Sequence, residues 1–318
     1  MKYIAVCAKG LEDVTQQEIK ELLKASSHIL IPGRVLFSAR SVKKLLEKSQ
    51  SVMKVYELKQ QCHSLDEIKP FTVKSPFRVV CSRKGAYALT SQEVEQTVGG
   101  LFYKKGAKVN LEEPKTVVLV DIVDDDILVG VDLTPVPLSK REYRVKMHNI
   151  SMNACVAYAL VRLSSYKKGK ILVDPFCKDG VIVIEAARFA KGKIFAHDDL
   201  FSNVKNTEIN ATLAHMRKEI TVSRIDIEWL DTKFQEGEVD CIVTAMPFPS
   251  RTMPEKIVRK IYKEFFYHLK YILKKGGKVV CFAPILDILK EMNELLEIIE
   301  ERDVSVGNAQ YHVVLFKK

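Results

Sequence analysis

Ile171-Leu172-Val173-Asp174-Pro175-Phe176-Cys177-Lys178-Asp179-Gly180 is the stretch whose reading decides the fold. A short apolar run ends in an acid, a proline and a tight loop closed by glycine. Val181 to Ala190 then carries apolar residues at helical spacing. Such an order reads as strand, sharp loop, helix. The unit recurs downstream. Lys193-Ile194-Phe195-Ala196 is a second strand ending at Asp198, with a helix to Leu213, and Ile220-Thr221-Val222 is a third. Val239 to Val243 is a fourth strand. A long helix from Ile257 to Leu273 is expected to stop at Lys274-Lys275-Gly276-Gly277, before a fifth strand at Lys278 to Phe282. Repeated strand–helix units predict an α/β, doubly wound sheet from about Asn149 onward, with ligands at the carboxyl ends of its strands.

Upstream the pattern differs. Tyr3 to Cys7 reads as a strand and Leu11 to Leu23 as a helix. Arg34 to Phe37 is a strand after Pro32-Gly33, Ser41 caps a helix bearing Val42, Leu45 and Leu46, and Val52 to Leu58 is another strand. This predicts a ferredoxin-like α+β unit over residues 1–63. A second α+β unit follows over 64–145. Its strands are Phe77 to Cys81, Thr116 to Ile122 and Ile127 to Asp132, and its helix, Ser91 to Phe102, is expected to be capped by Ser91. Asp124-Asp125-Asp126 fits a solvated hairpin turn better than a metal site. Residues 146–318 form the third predicted domain.

Composition narrows the function classes. The chain has 318 residues, 47% apolar and 28% charged, as a globular protein with a real core requires. No apolar run is long enough to span a membrane, and the opening residues read as a first strand, not a signal peptide. Seven scattered cysteines, none spaced as C-x-x-C, point to free thiols in a reducing, cytoplasmic setting and to no metal. His148, His197 and His215 are too dispersed to bind one. A net charge of +10 favours a polyanionic partner or serves as a solubilising surface.

The Asp174–Gly180 loop resembles the D-P-F-C-G-S-G loop of RNA and DNA amino-methyltransferases, which wraps S-adenosylmethionine. Asp198 stands where that family binds the cofactor ribose, Asp226 where it meets the adenine amine, and Asn210-Ala211 matches the end of the intervening helix. Thr244-Ala245-Met246-Pro247-Phe248-Pro249-Ser250-Arg251 resembles the catalytic N-L-P-F-G-x-R loop of tRNA guanine-N2 methyltransferases. Gly10 to Val14, Gly33 to Phe37, Arg83-Lys84-Gly85, Thr90 to Glu95 and Val109 to Pro114 resemble N-terminal ferredoxin-like and THUMP modules. Lys140-Arg141-Glu142-Tyr143-Arg144-Val145 resembles the segment joining THUMP to the methyltransferase. The whole chain is thus similar to THUMP-containing tRNA guanine-N2 methyltransferases of archaeal type. Val304 to Leu315 resembles the antiparallel hairpin closing their Rossmann-type sheets.

The resemblance implies methylation of a guanine N2 in tRNA, with S-adenosylmethionine as cofactor; the sequence leaves the oligomeric state open, with a monomer favoured. It implies Asp174, Phe176, Gly180, Asp198 and Asp226 around the cofactor, and Met246, Pro247 and Phe248 around a flipped base. Arg83, Lys84, Lys140, Arg141, Arg144 and Arg251 are the implied RNA contacts. The sequence departs from the family at three points. Lys178 replaces a loop glycine, where its Cβ crowds the cofactor or strains the turn, or its amine pairs with the cofactor carboxylate. Leu200 replaces a second acid, and Ala245 replaces the catalytic asparagine. A non-catalytic tRNA-binding protein is therefore the rival reading. A tRNA-thiolating one is disfavoured, because no S-G-G-x-D-S phosphate loop is present.

Overall fold

A computed structural model describes residues 1–318, and its contacts divide the chain into two units, Met1–Leu138 and Ser139–Lys318. In the first unit the alternating apolar pattern forms β1 (Lys2–Val6), β2 (Ser27–Ile31), β3 (Arg34–Ser38) and β4 (Lys54–Cys62). Helices α1 (Glu12–Leu23) and α2 (Lys43–Lys48) connect them. The strand order β2-β3-β1-β4, with β1 antiparallel to both neighbours, is the ferredoxin-like arrangement expected. The sheet then continues through β7 (Asp126–Asp132), β6 (Thr116–Val123) and β5 (Phe77–Lys84), with α3 (Ser91–Lys104) packed on β5. The predicted boundary at residue 63 thus lies at the end of β4, which pairs with β1 on one edge and β7 on the other.

Buried polar groups tie this unit together. The Glu18 carboxylate accepts hydrogen bonds from both hydroxyls and both amides of the Ser49–Ser51 turn that it faces: the Ser49 and Ser51 hydroxyls and the Gln50 and Ser51 amides. Glu12 accepts from the amides of Gly10 and Gly33. Gly130 is required by a close approach, since a Cβ there would lie 2.2 Å from the Glu57 carbonyl oxygen of the paired strand.

The second unit has α4 (Ala154–Leu163), β8 (Ile171–Asp174), α5 (Val181–Phe189), β9 (Lys193–Asp198), α6 (Phe201–Leu213) and β10 (Ile220–Arg224). β11 (Val239–Ala245), α7 (Glu255–Ile272), β12 (Leu273–Ala283), α8 (Leu286–Glu291), β13 (Glu297–Val306) and β14 (Ala309–Lys317) complete it. The order is β10-β9-β8-β11-β12-β14-β13, parallel through β12 and antiparallel in the last hairpin. Chain direction across the sheet reverses between β8 and β11, which opens a crevice at their carboxyl ends.

Several local expectations change. Thr90, not Ser91, caps α3, because its side chain and that of Glu93 form a reciprocal capping box. Lys274 to Gly277 is strand and not a helix stop: α7 ends at Ile272 with Leu273 already extended, and the backbone runs on into β12. Strand β2 and helices α4 and α8 were not expected. Eight consecutive residues of α4, Ala154 to Val161, are buried, so it lacks the two-faced periodicity that reveals a surface helix. The Asp124–Asp126 hairpin turn is present, with Asp124 at a φ of 52°. No helix is long and apolar enough to cross a membrane.

Candidate active site

The crevice between β8 and β11 opens into a cleft of about 300 Å³. Phe176 and Lys178 from the β8 loop, Asp198 from β9, Asp226 after β10, and Pro247 and Phe248 after β11 line it. A second cavity of about 190 Å³ is walled by Ser151, Ala245, Met246, Phe282 and Tyr311. Ile150, Lys178 and Phe248 belong to both, so they form the partition.

Asp198 is 4% exposed and firmly oriented. Its Oδ1 accepts from the Leu200 amide at 3.1 Å and from Asn203 Nδ2 at 2.8 Å, while Oδ2 accepts from the Lys178 amide at 3.0 Å. Each carboxylate oxygen has two acceptor directions, so Oδ2 keeps one for a hydroxyl in the cleft. Asp226 is exposed and caps the 3-10 turn Ile227–Lys233 through the Glu228 amide. Beside Leu200, Asp199 also lines the cleft, and burial beside Asp198 raises its proton affinity.

Asp174 and Gly180 lie outside both cavity linings. The Asp174 carboxylate is buried and accepts from the Thr244 hydroxyl at 2.6 Å and the Phe176 amide at 3.2 Å, which joins β8, its loop and β11. Burial pushes it up to about 7, although these two hydrogen bonds oppose the shift. Gly180 has a φ of 78°, and a Cβ on it would meet the Thr207 side chain at 2.6 Å. Its glycine is thus explained by α5–α6 packing. Asn210 likewise acts on the protein's own backbone, bonding Lys146 in both directions and the Asp179 carbonyl.

Lys178 stands in the left-handed region at a φ of 53°, which is the turn strain its Cβ implies. Its amine donates to the Ala245 carbonyl oxygen at 3.2 Å. Burial lowers its proton affinity, while Asp174, Asp198 and Asp179 work in the opposite direction. Met246 is buried, the Pro247 carbonyl accepts from the Tyr262 hydroxyl at 2.7 Å, and Phe248 is half-buried.

The basic residues separate by engagement. Arg141 forms an ion pair with fully buried Glu185. Arg144 donates to the Ser151 hydroxyl, and Arg83 to Ser91 Oγ and the carbonyls of Tyr87 and Leu89. Lys140 and Arg251 are exposed, and Lys84 is half-buried. Sequence reasoning did not find Phe282 and Tyr311, whose rings stack with centroids 4.4 Å apart on the wall of the second cavity. Tyr311 lies diagonally across the β12–β14 pairing from Phe282, two residues from its register partner Val313, and a diagonal aromatic pair was the available signal.

His197, beneath the cleft, gives a pH-dependent prediction. Burial lowers it to about 4, although a hydrogen bond with Ser223 opposes the shift. An unfolded histidine titrates near 6.5. The neutral ring's contribution is therefore full above that pH and is lost as pH falls towards 4. The stability of His197→Phe relative to wild type is expected to shift in the variant's favour by about 3 kcal/mol between pH 7.5 and 4 in urea titrations. A constant difference would contradict the assignment.

Comparison with known proteins agrees with this geometry. A family model described as RMKL-like, methyltransferase domain matches residues 141–313, more than half of the chain, and a THUMP domain model matches 54–132. The chain is 25% identical over 378 residues to the tRNA (guanine(6)-N2)-methyltransferase of Methanocaldococcus jannaschii, across 98% of this chain and 99% of that protein. It is 32% identical over 217 residues to the tRNA (guanine(6)-N2)-methyltransferase of Thermus thermophilus, across 67% and 64%. The crystal structure of TrmN from Thermus thermophilus superposes with a TM-score of 0.82 over 100% of this chain and 99% of that one, at 24% identity. With the parallel sheet, its closing hairpin and the acid-lined crevice, these matches establish that the chain belongs to the RMKL-like methyltransferase domain family and carries a THUMP domain.

Proposed function

We propose that the protein transfers a methyl group from S-adenosylmethionine to N2 of a guanine in tRNA, at position 6 as the names of its full-length relatives state. The observation that carries this reading is one cleft lined by Asp198, Asp226 and Phe248 at the sheet's reversal point. The donor set fits the cofactor: an oriented buried carboxylate suits a ribose hydroxyl, and an exposed strand-end acid suits an adenine amine. Phe176, Ile225 and Ile227 supply apolar surface beside them.

When bound, the cofactor supplies an electrophilic methyl group on a sulfonium. The protein's part is to position and desolvate. Phe248 stacks on a base withdrawn from the RNA, the loop carbonyls after β11 accept from its amine, and Pro247 is steadied by Tyr262. Lys84, Lys140 and Arg251, with Arg83 and Arg144 through their remaining donors, neutralise phosphates, while Arg141 serves to anchor its own segment. The THUMP domain is the tRNA-docking module of this scheme. The non-catalytic alternative rests on Ala245, whereas relatives matched along almost the whole chain are named as methyltransferases.

Transfer of labelled methyl to unmodified tRNA tests the proposal. Wild type is expected to label the RNA, and Phe248→Ala to lower kcat/KM about tenfold to hundredfold through lost stacking. Asp198→Ala is expected to weaken cofactor binding by about 2 kcal/mol in a calorimetric titration. Absence of both labelling and cofactor binding in the wild type would overturn the reading.

A further inference from the structure

The two main departures from the family pattern, Lys178 in the loop after β8 and Ala245 at the end of β11, are 67 residues apart and touch each other. We propose that the Lys178 amine replaces the acceptor missing at position 245 and takes the proton that the guanine N2 releases as it is methylated. The inference rests on the methyl-transfer reading above and deepens it.

Four observations support this assignment. First, Lys178 lines both cavities and so stands on the boundary that a methyl group crosses between them. Second, its backbone is pinned there. The amide donates to Asp198 Oδ2 and the carbonyl accepts from the Thr207 hydroxyl at 3.2 Å, which holds a non-glycine residue at a φ of 53°. That conformation is disfavoured for an L-residue, and the surrounding contacts enforce it. Third, alanine at 245 presents no polar side chain to the cavity it shares with Lys178, so the amine joins Asn149, Ser151, Asn153 and Tyr311 as the polar lining there. Fourth, the amine is buried, and burial favours its neutral form. The opposing charges are Asp174, Asp179 and Asp198. Asp174 is itself pushed up to about 7, so its negative charge is partial near neutrality. Asp199, Asp226 and His148 line the same cleft.

A neutral amine donates one N–H to the Ala245 carbonyl and keeps a lone pair for the substrate. In the step, the N2 lone pair forms the bond to the methyl carbon. The carbon–sulfur bond breaks with its electrons left on sulfur, which becomes a neutral thioether. The proton leaves N2 for Lys178 Nζ, which becomes an ammonium and later returns the proton to solvent.

The first measurement uses the free protein. In 13C-lysine-labelled protein, with Lys178 assigned by its loss in Lys178→Met, its signal is expected to titrate below the surface lysines. The second is single-turnover methyl transfer. The wild-type rate is expected to rise with pH through that same midpoint. Lys178→Met is expected to lose about a hundredfold and the pH limb with it. Lys178→Gly combined with Ala245→Asn is expected to recover turnover without the limb. Lys178 titrating with the surface lysines, or a Lys178→Met enzyme as fast as wild type with an unchanged profile, would overturn the proposal and leave methyl transfer standing. A wild type that transfers no methyl while the double variant does would mark Lys178 as a block and overturn both readings.

Discussion

Glu185→Ala is expected to destabilise the Ser139–Lys318 unit by about 3–5 kcal/mol and to weaken cofactor binding with it. Glu185 is fully buried on α5. Its Oε1 accepts from Arg141 Nε at 3.1 Å, the Tyr143 hydroxyl at 2.8 Å and Arg188 Nη1 at 3.2 Å, and its Oε2 accepts from Arg141 Nη2 at 3.3 Å. Alanine leaves a mostly buried guanidinium and a buried phenol facing each other without an acceptor. Burial, more than Glu185, raises Tyr143 well above its ordinary value and persists in the variant, which opposes ionisation of the hydroxyl to compensate. The segment Arg141 anchors continues to Lys146, held by Asn210, and to His148 and Ser151, both bonded to Asp179. That segment supplies one wall of both cavities. Thermal unfolding is expected to shift down by about 10 °C, with Glu185→Gln intermediate because it keeps the shape and part of the bonding. A loss below about 1 kcal/mol would mean the pair is no stronger than an exposed one.

Asp121→Ala is expected to cost the Met1–Leu138 unit a similar amount, about 3–5 kcal/mol. Asp121 lies 1% exposed on β6 and takes both Nε and Nη2 of Arg34 from β3, the latter at 2.7 Å. The Tyr56 hydroxyl from β4 joins it at 3.0 Å. Three strands on either side of the predicted domain boundary are thereby locked in register by one carboxylate. Removing it strands the Arg34 charge, whereas Arg34→Met with Asp121→Leu removes both charges and is expected to recover most of the loss. Urea midpoints of the single and double variants check this. A single variant as stable as wild type would contradict it.

The sheet of the second unit was legible because its inner strands read as short apolar runs, of which β8 and β9 end in acids. Asp198, Asp226 and Phe248 could be placed for the same reason, since a strand end fixes where the next residue points. The reasons behind Asp174, Gly180 and Asn210 were not legible. Each meets a partner distant in the chain, respectively Thr244, Thr207 and Lys146. A motif match records the residue but not what it touches. Helix α4 escaped because burial all round erases the amphipathic period, and the Lys274–Gly277 strand because paired lysines and glycines resemble a helix stop. Lys178 and Ala245 read as two separate losses in sequence, and only their contact in space makes them one feature.

The most direct test of methyl transfer is nucleoside mass spectrometry on tRNA from cells lacking the gene, compared with the same cells supplied with it again. One N2-methylguanosine, mapping to position 6, is expected to disappear and to return with the wild-type copy. An identical N2-methylguanosine content in all of these cells would contradict the account.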